Sequence, residues 1–193
     1  MKLFHWGSLQ YAILIFLLAV AVVMISFLLT ILIGSAWTPT PKSVVGKMLK
    51  MAGLKRGETL YDLGSGDGRI VIKAAKDFGA VSVGIEANPF LVIWSRLKIK
   101  LLRLEKRAKI IWGNFFNLDL SAADVVTIFL SQRANDELRE KFSRELKSGA
   151  RVVSYTWIMK GWTPVKVDLG SEIYVYKVSE VKKAEKIPST RPL

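Results

Sequence analysis

The feature that most constrains this chain is a run of glycines at alternate positions between an apolar strand and a helix. Thr59–Leu63 reads as a buried strand and is followed by Gly64-Ser65-Gly66-Asp67-Gly68. From Arg69 the chain then has helical periodicity, with Ile70, Val71, Ala74 and Ala75 on one side. Glycine lets the backbone turn sharply and come close to a ligand, and the helix start offers unpaired N–H groups. A dinucleotide loop needs G-x-G-x-x-G, and its third glycine would fall on Arg69. A P-loop needs Gly-Lys-Ser/Thr, which does not follow. Taken alone, the run is either a cofactor loop of another kind or a tight structural turn.

Glu86 narrows the choice. It ends the next predicted strand, Val81–Glu86, 20 residues beyond Gly66. In a strand-helix-strand unit this spacing brings a carboxylate to the carboxyl edge beside the loop, where it can accept ribose hydroxyls. The alternative is a solvated strand end. Further on, strands are expected over 109–112, 124–130 and Arg151–Tyr155, and helices over 89–104 and 134–146. Segments 164–168 and 173–178 have no helical stretch between them and read as a hairpin turning at Gly170. Strand-helix alternation predicts an α/β fold, a Rossmann-like, mostly parallel sheet with helices on both faces, to which the hairpin adds an antiparallel edge strand.

Ahead of this lies an uncharged apolar run over residues 11–33. As a helix it is roughly 34 Å long, enough to cross a bilayer core of about 30 Å. Gly34-Ser35-Ala36 offers a signal-peptide cleavage point, but the run exceeds the usual signal-peptide core of roughly 7–15 residues. Lys2 precedes it, whereas Lys42, Lys47, Lys50, Lys55 and Arg56 follow. By the positive-inside rule this predicts one N-terminal transmembrane helix, uncleaved, with the domain on the cytoplasmic side and Trp6 and Trp37 at the two interfaces. The expected organisation is a flank over 1–10, an anchor over 11–33, a linker and helix over 34–57, the domain over 58–179 and a basic, disordered tail over 180–193. In the linker, Pro41 is placed in the first turn of a helix capped by Thr40 and stopped by Gly53.

The chain has no cysteine, and its one histidine is His5. The domain therefore lacks Ser-His triads, Cys-His pairs and ordinary zinc sites, and no metal is expected. The whole chain's net charge of +13 suits an anionic leaflet, an acidic protein or a nucleic acid.

The segment Leu60-Tyr61-Asp62-Leu63-Gly64-Ser65-Gly66-Asp67-Gly68-Arg69-Ile70 resembles motif I of the class I, seven-stranded S-adenosylmethionine-dependent methyltransferases. Thr38-Pro39-Thr40-Pro41, Gly113-Asn114-Phe115-Phe116, Val125-Val126-Thr127-Ile128-Phe129-Leu130 and Gly149-Ala150-Arg151-Val152-Val153-Ser154 extend the match. They point to the subgroup of lysine methyltransferases acting on the ATP synthase c-subunit and the adenine nucleotide translocase, with broad-specificity archaeal relatives. The resemblance implies a seven-stranded sheet, S-adenosyl-L-methionine as cofactor and a protein lysine as acceptor.

It also implies roles for individual residues. Asp62 and the backbone of Gly64, Ser65, Gly66, Asp67 and Gly68 would hold the methionine end. Glu86 would bind the ribose, with Ala87 and Asn88 beside the adenine. Asn114 and Phe115 would meet the adenine edge and face, and Thr38 and Thr40 would fold over as a lid. Asn114 could equally be a cap, and Phe115 core packing. Leu130, Ser131, Tyr155 and Trp157 are candidates for a substrate channel; for Tyr155 and Trp157, core packing is an equal alternative. No residue is singled out as a general base. The [DN]-P-P-[YF] motif of amide and base-amino methylation is replaced by Leu130-Ser131-Gln132-Arg133. RNA, lipid and small molecules remain as alternative acceptors, with nucleic acid disfavoured for an anchored chain.

Overall fold

A computed structural model describes residues 6–33 and 38–178. Lys2, His5, Trp37, the Gly34-Ser35-Ala36 site and the C-terminal tail lie outside the described residues. Trp6–Ile33 is one α-helix (α1), and its Leu9–Leu28 stretch is long and apolar enough to cross a membrane. None of that stretch is buried against the protein.

A seven-stranded sheet follows: β1 (Thr59–Leu63), β2 (Val81–Glu86), β3 (Ala108–Trp112), β4 (Val125–Ile128), β5 (Arg151–Tyr155), β6 (Lys166–Asp168) and β7 (Ile173–Lys177). Their spatial order is β3-β2-β1-β4-β5-β7-β6. The first five strands are parallel, and β7 runs antiparallel to both β5 and β6. The antiparallel strand is thus the inner arm of the hairpin and β6 the edge, which corrects the expectation of an antiparallel edge strand. Strand order reverses between β1 and β4. Open α/β sheets form their ligand crevice at this point, beyond the carboxyl ends of the strands.

Period-two alternation sends each strand's side chains to two cores. On one face Leu60, Val125, Val153 and Val175 pack under α2 (Lys42–Met51) and α3 (Arg69–Phe78), while Ile110 packs under α3 and α4 (Pro89–Leu101). On the other, Val126, Ile128, Val152 and Tyr176 pack against Ala134, Leu138 and Phe142 of α5 (Gln132–Glu145).

Element ends depend on local chemistry. Asn88 caps α4, its Oδ1 accepting from the Phe90 and Leu91 N–H groups, with Pro89 in the first turn. Ser131 caps α5 in the same way. Gly53 closes α2 at φ +61, with the Leu54 N–H donating to the Leu49 carbonyl, as a Schellman stop requires. Two expectations are corrected. Pro41 rather than Thr40 occupies the cap position of α2: its carbonyl accepts from the Val44 and Val45 N–H groups, while the Thr40 carbonyl accepts from Arg69. Helix α4 stops at Leu101 because Arg103, at φ +54, takes the left-handed position usually left to glycine. The β6–β7 connection turns at the expected place: Gly170 is the middle residue of a 3-10 turn at Leu169–Ser171, the left-handed Glu172 (φ +51) completes it, and Asp168 accepts from the Ser171 N–H.

The Gly68→Ala variant is expected to lose about 2–4 kcal/mol of stability. Its methyl would occupy a left-handed residue and lie 2.9 Å from Ser95 Cβ on α4. Urea denaturation monitored by circular dichroism measures the loss.

Candidate active site at the switch point

The loop after β1 is shaped by backbone bonds to its neighbour strand. The Gly64 and Ser65 N–H groups both donate to the Ile85 carbonyl at 2.9 Å. Gly64, Gly66 and Gly68 all take positive φ (76°, 54° and 76°), which only glycine adopts at low cost. The Glu86 carboxylate, 7% exposed, accepts from the Gly66 N–H through Oε2 and from the Asn88 N–H through Oε1, both at 2.8 Å. One side chain therefore braces the loop and the start of α4 together. Burial pushes the Glu86 carboxyl up, against the pull of the backbone N–H groups of Asn88, Gly66 and Ala87.

Asp62 lies beside Thr127 in the β1–β4 register, and the Thr127 hydroxyl donates to its Oδ1 at 2.8 Å. Burial drives the Asp62 carboxyl up to about 7; the Thr127 bond opposes the shift, while the Glu86 and Asp67 carboxylates add to it. Asp67 is the opposite case. Burial pushes it up, but hydrogen bonds and charge from Arg69 (2.8 Å) and Lys98 (3.0 Å) outweigh that and hold it below the usual range. Arg69 also donates through Nη1 to the Thr40 carbonyl at 2.7 Å, tying the segment after residue 37 to the loop.

These contacts border a narrow cleft. Thr38, Thr40, Asp62, Gly64, Ser65, Gly66 and Asp67 line it, as do Pro39, Arg69, Ile70 and Phe129. Ser65 Oγ, buried without a partner among the described residues, lies against Gly84 of β2, where a Cβ would come within 2.6 Å of it, and a Cβ on Gly64 would come within 2.8 Å of the Leu130 side chain; both close approaches hold the loop tight. The raised Asp62 carboxyl is poised for a cationic neighbour.

The remaining predicted residues are not among those that line this cleft. Gly68 precedes α3, and Glu86, Ala87 and Asn88 form the β2–α4 connection. The Asn114 side chain accepts from the Phe116 N–H as a cap, and the Phe115 ring is buried in the core against Phe116. Leu130 is buried and Ser131 caps α5. The Tyr155 ring packs on Phe129 at 4.5 Å, while Trp157 is 41% exposed. Three contributors were not picked out in the sequence. Phe129 lies two residues beyond Thr127, so strand alternation could have shown it. Arg69 directly follows the glycines. Asn135 Nδ2 donates to Ser154 Oγ and the Trp157 carbonyl, both at 3.1 Å, and so holds the post-β5 loop against α5; nothing local signals that role.

Residues 62–166 match the family model of the ANTKMT methyltransferase domain. The chain belongs to this methyltransferase family. A protein-lysine N-methyltransferase of Saccharolobus islandicus is 42% identical over 158 residues, which span 76% of this chain and 95% of that protein. The human lysine N-methyltransferase of the ATP synthase c-subunit is 34% identical over 156 residues, or 80% of this chain and 66% of the human one. The crystal structure of an RNA methyltransferase from Salinibacter ruber in complex with S-adenosyl-L-homocysteine superposes with a TM-score of 0.72. It is 41% identical and covers 74% of this chain and 95% of that one. The protein is a class I methyltransferase, and its cofactor is S-adenosyl-L-methionine.

A carboxyl whose folded pKa lies above its unfolded value costs stability when ionised. For Asp62 this cost is absent below about pH 4, grows as pH rises to about 7 and is complete above it. The Asp62→Asn variant without cofactor is therefore expected to be more stable than the parent at pH 8, by at most about 4 kcal/mol. The gain should shrink towards nothing near pH 4, as read from urea midpoints across this range. Glu86→Gln keeps one acceptor but presents an amide to the second N–H, and is expected to lose about 1–3 kcal/mol in the same assay.

Proposed function

We propose that the chain is a membrane-anchored protein-lysine N-methyltransferase, with α1 as the anchor and the catalytic domain on the cytoplasmic side. The observation carrying the lysine assignment is the 42% identity to a protein-lysine N-methyltransferase along 95% of that relative's length. Lysine methyltransferases of the ATP synthase c-subunit and the adenine nucleotide translocase add to it. The anchor reading rests on the length and uniform apolarity of α1 and on the lysines and arginine that follow it.

In this reading Asp62 and the Gly64–Gly68 backbone bind the amino-acid end of the cofactor, the Glu86 edge receives the ribose, and Ala87, Asn88, Asn114 and Phe115 flank the adenine. Thr38 and Thr40 close the cleft, held by Arg69. When bound, the cofactor supplies an electrophilic methyl group on a sulfonium. The protein's task is then alignment and exclusion of water, which supply a large share of the rate in a displacement of this kind. The acceptor amine must be neutral. At pH 7 this costs roughly 4–5 kcal/mol for a lysine of ordinary pKa near 10.4. A dry channel beside Phe129, Tyr155 and Trp157 lowers that cost by disfavouring the ammonium form. No histidine is required for this chemistry.

RNA methylation is the second reading, favoured by the name of the Salinibacter ruber protein at 41% identity. Against it stand the curated lysine-modifying relatives and the absence of [DN]-P-P-[YF] after β4. Incubating the enzyme with methyl-labelled S-adenosylmethionine, membrane protein and RNA separates the two. Label on lysine after acid hydrolysis is expected; label on RNA alone refutes the assignment.

Ionised Asp62 is the binding form for a cationic ligand. Cofactor affinity is thus expected to fall about fivefold between pH 7 and pH 6 by titration calorimetry, the change in ionised fraction for a carboxyl near 7. The Asp62→Asn variant should lose this dependence together with most of its affinity.

A further inference from the structure

Helix α4 carries two opposed apolar faces. Leu91, Val92, Ser95 and Ile99 are buried against the sheet. Phe90, Ile93, Trp94, Leu97 and Leu101 recur at helical spacing on the other side, and all are exposed; Ile93 is 65%, Trp94 53% and Leu101 72% accessible. A contiguous outward stripe of this size is uncommon on a soluble surface and marks an interaction site. Trp112 extends it. Its indole N–H donates to the Ala87 carbonyl just ahead of α4, and its ring is 64% exposed.

The surroundings of the stripe are cationic. Lys98 and Lys100 flank it on the helix, and Arg103, Lys106 and Arg107 follow, with Glu105 the one acidic residue among them. A cleft between α2, α3 and α4 adjoins it, lined by Lys42, Lys73, Lys76 and Lys98. Its two acids, Asp77 and Asp67, are already paired with Lys73 and Lys98. The head of α4 also touches α1: Asn88 Nδ2 donates to Ser26 Oγ at 3.3 Å, near the end of the Leu9–Leu28 stretch.

We infer that α4 is a second membrane contact, lying flat on an anionic leaflet with Ile93, Trp94, Leu97 and Leu101 at the headgroup boundary and the exposed Lys100, Arg103 and Lys106 among the phosphates. An apolar stripe with tryptophan and flanking lysines is the signature of an interfacial helix. A second copy of this chain would bring the same cations face to face, whereas anionic lipid neutralises them. Because α4 returns antiparallel to the strands, this posture lays the strands roughly along the bilayer plane. The cleft at their carboxyl ends then opens sideways, next to the surface, towards lysines held close to the membrane. The inference builds on the reading of α1 as an anchor.

The chain has no cysteine, so single probes can be placed cleanly. Full-length Leu97→Cys and, separately, Glu137→Cys on the opposite-face helix α5 are labelled with bimane. Each is reconstituted in phosphatidylcholine vesicles with about one-third phosphatidylglycerol and a doxyl-lipid quencher. Quenching at position 97 is expected to exceed that at 137 by at least about threefold. The ratio should fall towards one in pure phosphatidylcholine and on adding Ile93→Glu with Leu101→Glu, while cofactor binding persists. The comparison between lipids needs no second-site variant, so it stands even where the glutamates impair folding. Equal quenching at the two positions in anionic vesicles overturns the contact, and an equally high ratio in pure phosphatidylcholine overturns the role of the cations. Shielding of position 97 from iodide in a detergent-solubilised dimer assigns the stripe to a second copy instead. Carbonate extraction reports on α1 separately: release of the chain refutes the anchor, while the quenching ratio on added vesicles still reads α4.

Discussion

The whole site hangs on one buried carboxylate. Glu86 takes the Gly66 N–H with one oxygen and the Asn88 N–H with the other, so the glycine loop and the start of α4 cannot move independently. Both N–H groups would otherwise be buried donors without partners, at a cost of about 1–3 kcal/mol each. The Gly64 and Ser65 bonds to the Ile85 carbonyl act in the same direction. They fix the loop against β2, while the Gly68 N–H turns back onto the Ser65 carbonyl and the Arg69 N–H onto the Asp67 carboxylate. The strand-order reversal between β1 and β4 supplies the space, and Glu86 sets the shape of its floor.

Around that floor the protein runs against its own charge. The chain is strongly cationic, yet Asp62, Asp67 and Glu86 converge at the cleft. Their fates differ because their partners differ. Asp67 is neutralised by Arg69 and Lys98. Asp62 has only a hydroxyl, and its carboxyl is displaced far from the ordinary range. A buried carboxylate lacking a cation is poorly stable in isolation and well suited to a cationic ligand, the usual trade between stability and activity. Arg69 links the two situations, since the same guanidinium that satisfies Asp67 also holds the Thr40 carbonyl.

Much of the site could be read from spacing. Gly64, Gly66 and Gly68 sit where a strand hands over to a helix, and Glu86 follows at the interval set by one intervening helix. Both are local consequences of a strand-helix-strand unit. Where reading failed, the decisive partner was distant in sequence. Thr40 reads as a helix cap, but Arg69 takes its carbonyl from the loop. Arg103 stops α4 without any of the usual signs, and Glu172, rather than the nearby glycine, takes the left-handed position of the β6–β7 turn.

The sequence by itself determined the fold class and the position of the glycine loop, and its resemblance to motif I implied the cofactor. Fold class and loop follow from hydrophobic periodicity, glycine placement and the strand-to-strand interval, all of them short-range properties. Only the tertiary structure decided that β7 lies inside its hairpin, that Glu86 is a brace, and that, among the described residues, Asp62 rather than Asp67 remains without a cation and the outer stripe of α4 is uncovered. Each of these depends on what a residue meets across the sheet or from another helix, and linear spacing does not encode that.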